Sequence, residues 1–70
     1  MIIDKLGKIT NGEMKGWYIK ILDDTENTGG YLVLQSPEIN FQGFGYDNWF
    51  LNLEEIQQHF ISNDIFIEWN

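Results

Sequence analysis

The sequence predicts a small α+β domain, with an antiparallel or mixed β-sheet and one helix packed on one face of it. Three observations predict this class: several segments alternate apolar and polar residues, one later segment has apolar residues spaced by three and four, and turn residues separate them. Period-two alternation is typical of half-buried strands, and the wider spacing is typical of an amphipathic helix. We expect the element order β-β-β-α-β in a single domain that spans residues 1–70.

The first two strands are predicted on either side of Asn11-Gly12, because both residues tolerate the positive φ of a type I′ hairpin turn. The second strand is expected from about Met14 to Leu22. Its side chains fall into two alternating sets that should face opposite sides of the sheet. These sets are Trp17, Ile19 and Ile21, and Tyr18, Lys20 and Leu22.

A polar loop from Asp23 to Gly30 precedes a third predicted strand from Tyr31 to Gln35. Ser36-Pro37 should end that strand, because proline has no backbone N–H to donate to a sheet. Residues 38–48 are rich in glycine and aromatic residues, and we expect an irregular segment there. A last strand is expected after the helix, from Ile65 to Trp69.

The helix is predicted to begin after Asn52, a favourable N-cap, with Glu55 in the position that completes a variant of the capping box. Leu51 and Ile56 occupy the positions of a hydrophobic staple. An inward apolar stripe is expected at spacings of three and four. It consists of Leu53, Ile56 and Phe60, with Gln57 as a further candidate. Asn63-Asp64 should end the helix.

Charge is unevenly distributed along the chain. All four basic residues are lysines within the first twenty positions, no lysine or arginine follows from Ile21 onward, and the formal net charge is −7. A negative potential attracts cationic partners and repels nucleic acid and anionic membranes. We therefore expect a cationic protein partner, no nucleic acid and no membrane. The alternative is that the acidity serves solubility alone.

The composition limits how the domain can be stabilised. The chain has no cysteine and one histidine, so a disulfide and a His/Cys metal site are excluded and neither a metal nor another cofactor is expected. Three Trp, three Tyr and five Phe are available to fill a core. No apolar run approaches the ~20 residues of a membrane span, and no charged leader is present, so we expect a cytoplasmic protein.

No catalytic residues are predicted. The candidates for a nucleophile or a base are the serines, the threonines and His59, and none has a partner residue at a suggestive spacing. Glu54 and Glu55 are adjacent, and adjacent helical residues point about 100° apart, so helix capping explains them better than acid–base catalysis. The loop from Asp23 to Gly30 also departs from the calcium-loop pattern. We therefore expect a binding protein rather than an enzyme.

A second segment, from Gly43 to Phe50 (GFGYDNWF), combines aromatic residues with an acid. Trp and Tyr are frequent at interface hot spots, and binding residues often lie on loops. We expect Trp49 and Phe50 to fill the core. Tyr46 and Asp47 are expected to be exposed. With the acids of the polar loop and the helix start, they complete the predicted partner-binding set. This set is Asp23, Asp24, Glu26, Tyr46, Asp47 and Glu54.

Three segments carry a family resemblance: GWYIKILDDTENTGGYLVL (Gly16 to Leu34), GYDNWF (Gly45 to Phe50) and IEW (Ile67 to Trp69). Their order is strand, acidic loop with Gly-Gly, strand, aromatic and acidic loop, helix and short strand with Trp. In this layout the chain resembles the small acidic immunity proteins of bacterial polymorphic and contact-dependent toxin systems. The resemblance implies a protein that binds a toxin, often a basic nuclease, and blocks its active site. It carries over no individual site residue.

Two functions from different classes are compatible with these features. The first is a non-enzymatic inhibitor or immunity protein that covers the active surface of a cationic toxin or nuclease. The alternative is a small interaction or assembly module that self-associates, or docks on a larger subunit, through an open sheet face or edge strand. Trp17 and Tyr18 should point to opposite faces, so a face without the helix carries a large ring. We expect a monomer or a homodimer. A binder of sugars or other small ligands at the aromatic loop is a third possibility.

Overall fold

A computed structural model describes residues 3–69 of the chain. They form a five-stranded antiparallel sheet, in the order β4-β3-β2-β1-β5, with one main helix. The strands are β1 (Leu6–Ile9), β2 (Tyr18–Asp24), β3 (Gly30–Ser36), β4 (Tyr46–Phe50) and β5 (Ile67–Trp69). The helices are α1 (Thr25–Thr28) and α2 (Leu53–Ser62). The predicted α+β class is confirmed, and the sheet is antiparallel throughout.

The structure adds two elements to the predicted order. Residues Tyr46–Phe50, most of which were expected to be irregular, form the edge strand β4. β4 is an edge strand that pairs with β3 alone, and its residues are exposed or half-buried. Because little of the strand is buried, its sequence does not need a clear alternation of apolar and polar residues. The polar loop contains the single-turn helix α1, which ends at Gly29 in the left-handed conformation (φ 80°). β4 depends on its pairing with β3, whereas α1 is held by hydrogen bonds within residues 23–28.

The first hairpin differs from its predicted form. β2 begins only at Tyr18, so Asn11-Gly12 do not make a two-residue turn. Within this pair only Gly12 has positive φ, at 77°. The Asn11 side chain instead donates to the carbonyl of Asp64 (2.7 Å) and accepts from the N–H of Phe66 (3.0 Å). Asn11 therefore ties the hairpin loop to the segment that follows α2.

The core lies on the face of the sheet that packs against α2. Its buried side chains are Ile9, Ile19, Ile21, Val33 and Ile56. Ile19 and Ile21 are both 0% exposed, which confirms the alternation predicted for β2. The buried apolar residues of the strands are all β-branched, a type that packs well on a pleated surface. Full burial of each such side chain contributes about 1.5–3 kcal/mol, so this cluster holds the sheet and the helix together.

Helix α2 begins as predicted. The side chain of Asn52 accepts from the N–H of Glu55 (2.9 Å), and Glu55 Oε1 accepts from the N–H of Leu51 (3.1 Å). The apolar contacts of the helix start are fewer than predicted. Leu51 of the expected staple is 54% exposed, and Leu53 of the expected stripe is also exposed. Only Ile56 is fully buried. The helix therefore contacts the sheet mainly through its middle.

The opposite face of the sheet is not covered by α2, and we call it the open face. Its alternating residues are Leu6, Lys8, Tyr18, Lys20, Leu22, Leu32, Leu34, Asp47 and Trp49. Trp49 was expected in the core, but it lies here, 46% exposed, and its indole N–H donates to Thr28 Oγ1 (2.8 Å). Alternation along β4 explains the difference, because Phe50 occupies the inward position and packs against the core as expected.

Candidate binding sites

One end of the sheet gathers most of the predicted acids. β2 ends and β3 begins there, and the first residues of β3 pair with the last residues of β4. Asp23 is paired with Tyr31, which is paired in turn with Phe50, and α2 begins three residues after Phe50. The predicted residues at this end, which we call the acidic end, are Asp23, Asp24, Glu26 and Glu54. The fold therefore concentrates negative charge that is spread over more than thirty positions in the sequence.

Two of these carboxylates also hold the local backbone. Asp23 Oδ1 accepts from the N–H (3.0 Å) and the hydroxyl (2.7 Å) of Thr25. The hydrogen bond from the Thr25 hydroxyl stabilises the charged form of Asp23 and is the larger cause of its lowered pKa, which is usually 3.8. The hydrogen bond from the Thr25 N–H acts in the same direction. Asp24 Oδ1 accepts from Asn27 Nδ2 (3.1 Å). Glu26 is exposed, so it is free to contact a partner.

The other two predicted residues lie away from the acidic end. Tyr46 and Asp47 begin β4, and at about 3.3 Å per residue Tyr46 is roughly 13 Å along the strand from Phe50. Tyr46 is paired with Gln35 and Asp47 with Leu34. Because neighbouring strand residues face opposite ways, Asp47 is on the open face and Tyr46 is on the α2 side. The predicted set of six residues is thus split over separate surfaces.

Tyr46 belongs to an aromatic cluster beyond the end of α2. Its ring stacks on Trp17 with centroids 5.8 Å apart and an interplanar angle of 14°. Phe44 meets both rings edge-on, at 5.8 Å from Trp17 and 5.7 Å from Tyr46. Offset stacking and edge-to-face contacts are the favoured geometries for such rings. The cluster therefore fixes the orientation of the Tyr46 ring while leaving it exposed.

A cleft of about 480 Å³ opens beside the aromatic cluster, over the α2 side of the sheet. Its walls are the loop between β1 and β2, strands β3 and β4, and the end of α2 with the residues after it. Its polar lining residues are Asn11, Glu13, Gln35, Tyr46, Asn48, His59, Asn63 and Asp64. We call it the Gln35 cleft. Its volume is in the range of small-ligand sites, about 300–1,000 Å³.

Gln35 forms the floor of this cleft. It is only 5% exposed, yet among residues 3–69 its side-chain amide has no hydrogen-bond partner. In that part of the chain no fully buried side-chain N or O lacks a partner, so the amide is accessible to solvent, and Gln35 lines the cleft. Gln35 was not among the predicted site residues. Its signal was a polar residue two positions after Val33, in the inward register of a predicted strand.

His59 and Asn63 make a rigid wall of the cleft. Asn63 Nδ2 donates to the carbonyl of His59 (2.8 Å) and lies 3.3 Å from His59 Nδ1. A carbonyl oxygen can only accept, so the Asn63 atom is the side-chain nitrogen and donates to it. The imidazole is half-buried, with its centre 5.2 Å from that of Phe50.

These surfaces present carboxylates and side-chain amides. Across residues 3–69, no three His, Cys, Asp or Glu side chains are grouped so as to hold a metal ion. No helix within the same residues is long and apolar enough to cross a membrane. In comparisons with known proteins, no family model, no curated protein and no solved structure matches this chain.

Proposed function

We propose that the protein is a non-enzymatic acidic binding protein of the immunity or inhibitor type, which covers a cationic surface of a toxin or nuclease. The observation that supports this proposal is the acidic end, where Asp23, Asp24 and Glu26 lie in and beside α1 and Glu54 lies in the first turn of α2 at the same end of the sheet. A concentrated negative potential raises the rate at which a basic partner associates and disfavours partners of like charge. The mechanism is steric, since the bound protein excludes substrate from the partner's active surface.

The experiment is a pull-down from lysate of the source cells and their close relatives, with elution at rising salt. We expect a single basic protein that is released only at high salt, because screening weakens contacts between exposed charges. Recovery of this chain alone, or of no basic protein, would contradict the proposal.

The captured partner then allows a test of the acidic end. Glu26→Lys and Glu54→Lys each reverse one charge there, and neither side chain holds a turn. We expect the association rate to fall by roughly tenfold for the pair of substitutions. Glu68→Lys, at the edge strand β5, makes the same change of charge as either single substitution and is the matched control for each of them. Equal effects at Glu68 and at the acidic end would show that only net charge matters.

A second candidate function is favoured by the open face. Leu22 lies opposite Leu32, which lies opposite Trp49, so three apolar side chains form one row across neighbouring strands. An apolar patch of this kind is a candidate surface for self-association or docking on a larger subunit. Sedimentation at low and high salt distinguishes the candidates. A homodimer that persists at high salt and is lost in Leu32→Lys supports assembly, and a monomer under both conditions opposes self-association.

A further inference from the structure

We propose that the Gln35 cleft binds the guanidinium group of an arginine side chain on a partner protein. This site is distinct from the acidic end, and the inference does not depend on the function proposed above. It rests on the burial of Gln35, on the charges around the cleft and on the fixed ring of Tyr46.

A polar residue, Gln35, occupies a position that faces the core. Gln35 is paired across the sheet with Ile19, a core residue, and follows Val33 on the same face. An apolar residue at this position would stabilise the core, whereas the Gln35 amide opens to solvent and offers its donor and acceptor to a molecule in the cleft. A ligand that pairs with the amide explains why a polar residue occupies the position.

The charged residues that line the cleft are acidic. Glu13 and Asp64 line the cleft, and no lysine or arginine does. Anionic ligands are therefore disfavoured and cations are favoured. The amide oxygens of Gln35 and Asn48 and the two carboxylates are hydrogen-bond acceptors. A guanidinium group carries five N–H donors in one plane and has no acceptor, so it matches this lining.

An aromatic residue at the cleft favours arginine over lysine. Tyr46 lines the cleft, and the contacts of its ring with Trp17 and Phe44 fix the orientation of the ring. A planar guanidinium can stack on an aromatic ring while its edge donates to carbonyl and carboxylate oxygens. A lysine ammonium is a compact, strongly hydrated charge that cannot do both. We therefore expect selectivity for arginine.

Internal hydrogen bonds already hold the walls of the cleft in place. Asn11 bonds to the backbone of Asp64 and Phe66, and Asn63 bonds to His59. A cleft whose walls are fixed by internal hydrogen bonds loses little conformational freedom when a ligand binds. This arrangement is suited to a ligand group as small as a guanidinium.

The test is a two-dimensional amide NMR titration of the full chain with three capped amino acids, each an Nα-acetyl methylamide. The probes are arginine, citrulline and lysine. Citrulline is the neutral isostere of arginine, so it removes the charge and preserves the shape. We expect saturable shifts at the side-chain amides of Gln35 and Asn48 with the arginine probe, and an affinity about tenfold higher than for citrulline. We expect the lysine probe to bind more weakly than the arginine probe.

Variants locate the binding. Gln35→Leu should weaken arginine binding by about tenfold, whereas Gln58→Leu, on the exposed surface of α2 outside the cleft, should leave it unchanged. Glu13→Gln, on the exposed loop, should lower the affinity for arginine but not for citrulline. Glu13→Gln decides the question if Gln35→Leu does not fold.

The proposal is overturned if the arginine probe gives no saturable shifts, if citrulline or lysine binds as tightly as arginine, or if folded Gln35→Leu binds arginine normally. Failure of the probes does not affect the pull-down, which concerns the acidic end. Failure of the pull-down likewise does not affect the probe titration. The two proposals can therefore be judged separately.

Discussion

Along β2, Ile19 and Ile21 point to one face of the sheet while Lys20 and Leu22 point to the other, and the two faces differ in composition and in exposure. The α2 side is built from β-branched residues that are fully buried around Ile56. The open face carries leucines, two lysines and an exposed Trp49. The same backbone thus presents a closed core on one side and a half-solvated surface on the other.

The difference arises because α2 packs on one face only, and its length limits how much of that face it covers. α2 has ten residues, which at about 1.5 Å per residue span roughly 15 Å, and the described part of the chain provides no second long helix. One short helix can cover the middle of one face only. The open face and the Gln35 cleft are the parts of the sheet that it leaves uncovered. Stability and binding are therefore expected to depend on different residues.

The largest expected contrast is between neighbours on β2. Ile21→Ala should lower the free energy of unfolding by about 2–5 kcal/mol, because it leaves a cavity in the core. Leu22→Ala, one residue further on the open face, should cost about 1 kcal/mol, because Leu22 is already half-solvated. Urea unfolding of both variants measures the difference. Equal losses would mean that the two faces contribute equally to stability.

A second contrast compares neighbours on β1. A Cβ at Gly7 would lie 2.7 Å from the Trp69 ring and 2.8 Å from Ile67, so Gly7→Ala should overpack the α2 side and cost about 1–3 kcal/mol. Lys8→Ala on the open face removes only an exposed side chain, whose Nζ lies 5.6 Å from the centroid of the Tyr18 ring. We expect a change within about 0.5 kcal/mol for Lys8→Ala. Thermal unfolding tests both. A neutral Gly7→Ala would show that β5 can move away freely.

A smaller effect is expected at Trp49, on the open face. Trp49→Phe removes the indole N–H that donates to Thr28 Oγ1, so it should cost about 0.5–1.5 kcal/mol by urea unfolding. Thr28→Ser keeps the hydroxyl and is the matched control, with a smaller expected loss. If Trp49→Phe is neutral while the fold is intact, the bond holds the ring without contributing to stability.

The smallest effect is expected at Asp23, where β2 extends beyond the cover of α2. The hydrogen bonds from Thr25 lower the pKa of Asp23 from 3.8, so the stability they contribute is complete above that pH and is lost as pH falls through the lowered pKa. Asp23→Asn keeps an oxygen acceptor but cannot ionise. Urea unfolding at neutral pH and below 3.8 should show a smaller acid-induced loss in Asp23→Asn than in the parent protein. An identical loss would exclude Asp23 as a contributor.

Local signals in the sequence determined the class of the fold and several of its elements. The alternation around Ile19 and Ile21 identified a buried strand face, because side-chain direction has a period of two in any strand. Asn52 and Glu55 identified the start of α2, because a cap acts within one turn. Each of these features depends on residues close together in the chain.

Only the tertiary structure decided the features that depend on distant residues. Asn11 reads locally as a hairpin turn, but its side chain bonds to Asp64 and Phe66, more than fifty positions away. β4 is a strand because β3 offers it a paired edge. The Gln35 cleft exists because three separate segments surround one inward amide. A local pattern specifies which way a side chain points, and the packing of distant segments specifies what that side chain meets.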